Sequence, residues 1–166
     1  MGLGPGRTPR CGGSRARHLR LLMAAILAVG LLATPTLASS GVAAGAEKCH
    51  GRRATIVGTR GADDLQGTKH RNDVVVLLGG DDTFLGHQGG DVVCGGRGDD
   101  LIRGGADSDR VRGGAGEDRL GGGGTHDVLI GGAGDDSLRG GHNDDRCNGG
   151  AGTDTAEVCE RTKGIP

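Results

Sequence analysis

The chain has 166 residues, 38 of them glycine, with a single aromatic side chain (Phe84) and neither Trp nor Tyr. That leaves room for one ordinary domain, excludes an aromatic-packed core, and removes any mechanism that stacks bases on aromatic platforms. The net charge of -1 joins unlike parts: five arginines and no acid before residue 39, then 15 Lys or Arg against 21 Asp or Glu, an acidic remainder that argues against nucleic acid as a partner.

In chain order, Met1 to Arg20 is basic and rich in Gly and Pro, and Leu21 to Ala33 is an uncharged apolar run of thirteen residues. A retained membrane anchor needs about 20 such residues. Small-x-small sequences follow at Thr36-Leu37-Ala38 and Ala44-Gly45-Ala46, so residues 1–46 read as a secretory signal peptide, cleaved after Ala38 or Ala46. Paired arginines are missing ahead of the apolar run, so nothing marks a twin-arginine route. Cleavage removes Cys11 and leaves Cys49, Cys94, Cys147 and Cys159. An even count in an exported chain points to disulfides. Three pairings are open, and position favours Cys49 with Cys94 and Cys147 with Cys159. The competing reading, metal ligation, lacks a Cys-x-x-Cys pair and a His at zinc-finger spacing.

Residues 47–57 form a short N-terminal cap, and a repeat array then runs over residues 58–157. From Gly86 a nine-residue unit recurs eight times without a gap: GHQGGDVVC, GGRGDDLIR, GGADSDRVR, GGAGEDRLG, GGGTHDVLI, GGAGDDSLR, GGHNDDRCN and GGAGTDTAE. The sixth position is always Asp (Asp91, Asp100, Asp109, Asp118, Asp127, Asp136, Asp145, Asp154). The eighth is Val93, Ile102, Val111, Leu120, Leu129, Leu138, Cys147 and Ala156. With small slips the pattern extends upstream through GTRGADDLQ (58–66), TKHRNDVVV (68–76) and LLGGDDTFL (77–85), adding Asp63, Asp73 and Asp82. A fixed short period of this kind means a solenoid.

Within a unit, the first six positions are turn chemistry, with a hard carboxylate oxygen from the Asp. The last three alternate polar, apolar, polar, which makes a very short strand with one buried side chain. Two units make a coil of 18 residues, and stacked coils make two parallel sheets with a ladder of small aliphatics between them. Such a core needs no aromatics.

The pattern resembles the RTX, or haemolysin-type, calcium-binding nonapeptide repeats, Gly-Gly-x-Gly-x-Asp-x-U-x with U aliphatic. Units 95–103, 113–121 and 131–139 match every consensus position. The resemblance implies an all-β parallel β-roll, a right-handed β-helix-like solenoid with two repeats per coil, and calcium as its ion. Carried onto this chain, the metal-holding residues are Gly80 and Asp82; Gly95, Gly98 and Asp100; Gly113, Gly116 and Asp118; Gly131, Gly134 and Asp136; Gly149, Gly152 and Asp154; and Asp91, Asp109, Asp127 and Asp145. Ordering so many glycines and stacking carboxylates costs free energy that calcium offsets, so folding and binding are expected to be one event, with affinity in the weak extracellular range.

Alternate units share an edge, and the two edges differ at position four. One edge has Gly80, Gly98, Gly116, Gly134 and Gly152, the other Arg71, Gly89, Asp107, Thr125 and Asn143. A β-branched Thr resists a left-handed backbone, so the second edge is expected to bind fewer or weaker ions. In the Asp-Asp pairs one residue is expected to be a ligand and the other a solvated charge, not a glycosidase dyad. The histidines show no His-Glu-x-x-His motif, and no Gly-x-Ser-x-Gly elbow exists. Arg103, Arg112, Arg119 and Arg139 are expected to form exposed cross-coil charge pairs.

Proteins resembling this family often append the repeats to a protease, lipase or adhesin and are exported through a C-terminal signal. Here the signal is N-terminal, and only Glu47–Val57 and the tail Val158–Pro166 flank the repeats, so no catalytic domain is expected. The reading is a secreted, monomeric, non-enzymatic calcium-binding module. The alternative is a structural or adhesive surface protein, with a cell-envelope or matrix partner, whose scaffold calcium rigidifies.

Overall fold

A computed structural model describes residues 47–165; the signal-peptide assignment, residues 1–46, lies outside the described residues. The described chain is fifteen short strands with no helix. An antiparallel hairpin, β1 (Lys48–Cys49) and β2 (Arg52–Arg53), comes first. The remaining strands alternate between two parallel sheets. The seven-stranded sheet holds β3 (Ile56–Val57), β5 (Val74–Val76), β7 (Val92–Arg97), β9 (Arg110–Ala115), β11 (Val128–Ala133), β13 (Arg146–Ala151) and β15 (Arg161–Lys163). The six-stranded sheet holds β4 (Asp64–Gln66), β6 (Thr83–Leu85), β8 (Leu101–Gly105), β10 (Arg119–Gly123), β12 (Ser137–Gly141) and β14 (Thr155–Glu157). This is a parallel β-roll. The crossover that parallel neighbours require is the intervening strand of the opposite sheet.

Register follows the repeat. Leu120 lies beside Ile102 and Leu138, and Leu129 beside Val111 and Cys147, each one coil of two units away. The eighth-position residues stack into one buried column: Val75, Phe84, Val93, Ile102, Val111, Leu120, Leu129, Leu138 and Cys147, with Leu77 added. Burying each contributes about 1.5–3 kcal/mol. One side chain per unit therefore supplies a continuous core.

The first coil is longer than the others, because Ile56 pairs with Val75 and Asp64 with Thr83, whereas Val74 pairs with Val92 at the regular interval. Gly67, not Thr68, faces the Gly86 carbonyl and the Asp73 carboxylate as a first-position glycine does. The second unit thus begins at Gly67 rather than Thr68, and its loop carries the extra residue. At the other end Arg146 pairs with Arg161, so the last coil is shorter.

The hairpin lies on the outer face of the seven-stranded sheet at its N-terminal end. Cys49, Ala54, Val76 and Val92 form a second buried cluster there, with Val57, Val74, Leu78 and Cys94 packed against it. A Cys49–Cys94 disulfide with Cα atoms 5.8 Å apart fastens the hairpin. Cys147–Cys159, with Cα atoms 6.0 Å apart, ties the C-terminal tail to the core column. These are the pairings that position favoured. Although Cys49, His50 and Cys94 bring their potential ligand atoms together, both sulfurs are spent in the disulfide, so this is no metal site.

Candidate metal sites along both loop edges

Each sixth-position Asp sits where a glycine-rich loop enters a strand. The coil repeat sorts these residues into two columns, Asp63, Asp82, Asp100, Asp118, Asp136 and Asp154 on one edge, and Asp73, Asp91, Asp109, Asp127 and Asp145 on the other. From Asp73 to Asp154 they are at most 4 % exposed. From Asp82 and Asp91 onward, Oδ1 of each is occupied by the coil before it: the Asp100 N–H donates to Asp118 Oδ1 at 2.9 Å, and the Asp109 N–H to Asp127 Oδ1 at 2.8 Å. The same bond repeats along both columns.

Oδ2 is different. In nine of these residues, Asp82, Asp91, Asp100, Asp109, Asp118, Asp127, Asp136, Asp145 and Asp154, it is buried without any hydrogen-bond partner. A single buried, unpartnered acceptor costs about 1–3 kcal/mol, more when charged. Nine in register call for cations. The surroundings fit one kind. A Cβ added at Gly113 would strike Oδ2 of Asp118, and one added at Gly116 would strike the Gly98 carbonyl of the neighbouring coil. Glycine is therefore what keeps the carboxylate oxygen and the loop carbonyls close together. The donor set is oxygen throughout, which suits calcium and not a thiolate- or imidazole-seeking metal.

The electrostatics agree. Burial, with repulsion from neighbouring aspartates added, pushes the carboxyls of Asp91, Asp100 and Asp127 up to about 6, Asp118 to about 7 and Asp109 to about 8. Burial also raises Asp82, Asp136 and Asp145. Without a cation these groups resist ionisation.

Backbone shape at the second loop position tracks the unpartnered oxygens one for one. That residue has positive φ in nine units: Leu78, His87, Gly96, Gly105, Gly114, Gly123, Gly132, Gly141 and Gly150. Those nine units own the nine unpartnered oxygens. Leu78 (φ 78) and His87 (φ 74) take the glycine conformation in spite of their side chains. In the first two units Thr59 and Thr68 replace the second glycine and neither has positive φ. Here Oδ2 of Asp63 accepts the Thr59 N–H at 2.6 Å and hydroxyl at 3.0 Å, and Oδ2 of Asp73 accepts the Thr68 N–H at 2.7 Å and hydroxyl at 2.9 Å. The substitution of Gly-Thr for Gly-Gly was visible in the sequence, and repeat matching alone passed over it. So did a second feature: Glu160 accepts the Asp145 N–H at 2.6 Å and closes the second column where the repeat has ended.

The fourth position departs from expectation. Asp107 (φ 69), Thr125 (φ 66) and Asn143 (φ 72) adopt the left-handed backbone that glycine adopts on the opposite edge. Their φ values are smaller than those of Gly80 (104), Gly98 (112), Gly116 (132), Gly134 (127) and Gly152 (139), so stacking imposes the sign of φ on both edges while the non-glycine loops carry the strain. Within the Asp-Asp pairs, Asp82, Asp100, Asp136 and Asp145 are buried while Asp81, Asp99, Asp135 and Asp144 are exposed. The expected arginine pairs do not form: among the described residues Arg103, Arg112, Arg119 and Arg139 make no ion pair. Their neighbours in register are Leu85 and Gly121, Cys94 and Ile130, Leu101 and Ser137, and, for Arg139, Gly121 and Glu157. Only Glu157 is acidic.

A family model described as RTX calcium-binding nonapeptide repeat matches the chain in four copies, over residues 71–93, 86–120, 95–127 and 121–156. No curated protein and no solved structure matches it.

Proposed function

Because the chain belongs to the RTX calcium-binding nonapeptide repeat family, we propose that it is a secreted calcium-binding module whose coils stack as the ion binds. The observation that carries the proposal is the row of nine buried Oδ2 atoms without partners. Calcium supplies two positive charges and accepts six to eight oxygen ligands, including backbone carbonyls. The residues that would hold it are the sixth-position aspartates from Asp82 to Asp154, with the carbonyl-lined loops beside them. Loop glycines such as Gly95, Gly98, Gly113 and Gly116 make room, and the Oδ1 bonds fix each carboxylate in one rotamer. With calcium at ten times the dissociation constant, each site contributes RT ln 11, about 1.4 kcal/mol; four such sites approach the stability of a small domain.

The export assignment rests on the signal-like N-terminal segment and agrees with two disulfides, which persist in oxidising compartments. A monomer without catalytic activity is the simplest state for such a module. Far-UV circular dichroism of the chain in chelator and then in calcium tests the coupling: strand signal should grow on calcium addition, and an unchanged spectrum would sink it. One observation favours a structural or adhesive role on a cell surface, namely that Arg103, Arg112, Arg119 and Arg139 on the parallel strands make no ion pair among the described residues. Retention with the cell envelope and release on chelation would mark that role. Recovery in the medium regardless of calcium would mark the free module.

A further inference from the structure

The two ends of the roll are not built alike. The calcium reading above takes the unpartnered Oδ2 atoms as ligands; those of Asp63 and Asp73 are filled instead, each by a threonine N–H and hydroxyl from its own loop. These are also the units in which the second residue lacks the positive φ found wherever Oδ2 is unpartnered. The same end carries three metal-free stabilisers. A second apolar cluster lies between hairpin and sheet. Leu77 stands fully buried at a first position that later units give to glycine. The Cys49–Cys94 disulfide closes the segment covalently.

We infer that the calcium array begins at Asp82 on one edge and Asp91 on the other, and that residues 48–76, fastened to β7 through Cys49–Cys94, form a calcium-independent block on which the later coils stack. Thr59 and Thr68 do for Asp63 and Asp73 what the ion does elsewhere: they satisfy the buried oxygen. The block presents β4 and β5 with their registers set, so each following coil adds to an existing pair of sheet edges instead of nucleating a new one. This rests on the proposed coupling of calcium binding to folding, and the test separates the two.

Hydrogen exchange on the full chain with disulfides intact, read by mass spectrometry in chelator and in calcium, distinguishes the segments. In chelator, amides in 56–76 should exchange at least about tenfold more slowly than those in 95–157, the margin of one charge-assisted hydrogen bond. In calcium the two should be similar. If both segments gain protection together on calcium addition, the block is refuted and the coupling stands. If 95–157 is equally protected with and without calcium, the coupling is refuted, and the boundary is judged by a variant. T59G restores Gly-Gly and makes residues 58–66 a full consensus unit. It should raise the number of calcium ions bound per chain and speed exchange of 56–76 in chelator, whereas T59S, which keeps the hydroxyl, should match the parent in both. A T59G chain with unchanged calcium count and unchanged calcium-free exchange overturns the boundary.

Discussion

Replacing Asp118 by Asn separates a metal ligand from a merely structural residue, because the two roles predict opposite results without calcium. Asp118 is 1 % exposed, its Oδ1 accepts the Asp100 N–H at 2.9 Å, and its Oδ2 has no partner. Asn can keep the first bond through its own carbonyl oxygen. What it removes is the charge and the second hard oxygen. In calcium at one hundred times the dissociation constant an occupied site is worth RT ln 101, about 2.7 kcal/mol, so D118N should lower stability by roughly that amount. In chelator the ledger reverses. The carboxyl is held up to about 7 by burial and by Asp100 and Asp136, so at pH 8 the parent must bury a charge that Asn lacks. The variant should then be at least as folded as the parent. Urea titrations followed by circular dichroism, run in calcium and in chelator, give both numbers. Equal destabilisation in the two conditions would refute the ligand role and leave Asp118 as a structural hydrogen-bond acceptor.

Three further outcomes follow from the same geometry. G113A should destabilise the calcium-bound roll by about 1–3 kcal/mol through overpacking, since its Cβ strikes Oδ2 of Asp118, whereas G121A, whose Cβ comes no closer than 3.8 Å to Arg103, should be neutral or slightly stabilising in the same urea titration. The raised carboxyls mean that the calcium-free fold holds more protons than the unfolded chain from the ordinary 3.8 up to about 8. Calcium-free stability should therefore fall as pH rises through that window, and calcium affinity, which needs ionised ligands, should rise with it. Calorimetry at pH 7 in buffers of different ionisation enthalpy should detect proton release on calcium binding; heats independent of buffer would contradict this. Because Thr125 holds φ at 66, T125G should raise thermal stability by about 1 kcal/mol by relieving backbone strain while T125A does not; equal effects would show that the position carries no strain.

The architecture was legible because one side chain per unit decides it. Val93, Ile102, Val111, Leu120, Leu129 and Leu138 recur at the eighth position, and that column is the core. The aspartate columns and the sharing of an edge by alternate units follow from the same period. Three things were not legible, each for a physical reason. The extra residue in the loop from Gly67 to Asp73 is fixed by what Gly67 faces in the next coil, a contact that local sequence does not encode. The left-handed backbones of Leu78, His87 and Thr125 run against their intrinsic preferences and exist because stacked neighbours impose them. The arginines at strand positions looked pairable along the chain, but register sets Arg119 between Leu101 and Ser137. Thr59 and Thr68 are a separate case, since their identity was in plain view and only the bonds to Asp63 and Asp73 reveal what the exchange of Gly for Thr accomplishes.

The central claim is that the unpartnered Oδ2 atoms are calcium ligands. A crystal structure of the chain grown in calcium, with anomalous scattering used to place the ions, tests it most directly. The account predicts ions about 2.3–2.6 Å from Oδ2 along both columns, from Asp82 and Asp91 onward, with none at Asp63 or Asp73. Ions found only at exposed acids such as Asp81 and Asp99, with the buried oxygens left unligated, would contradict it.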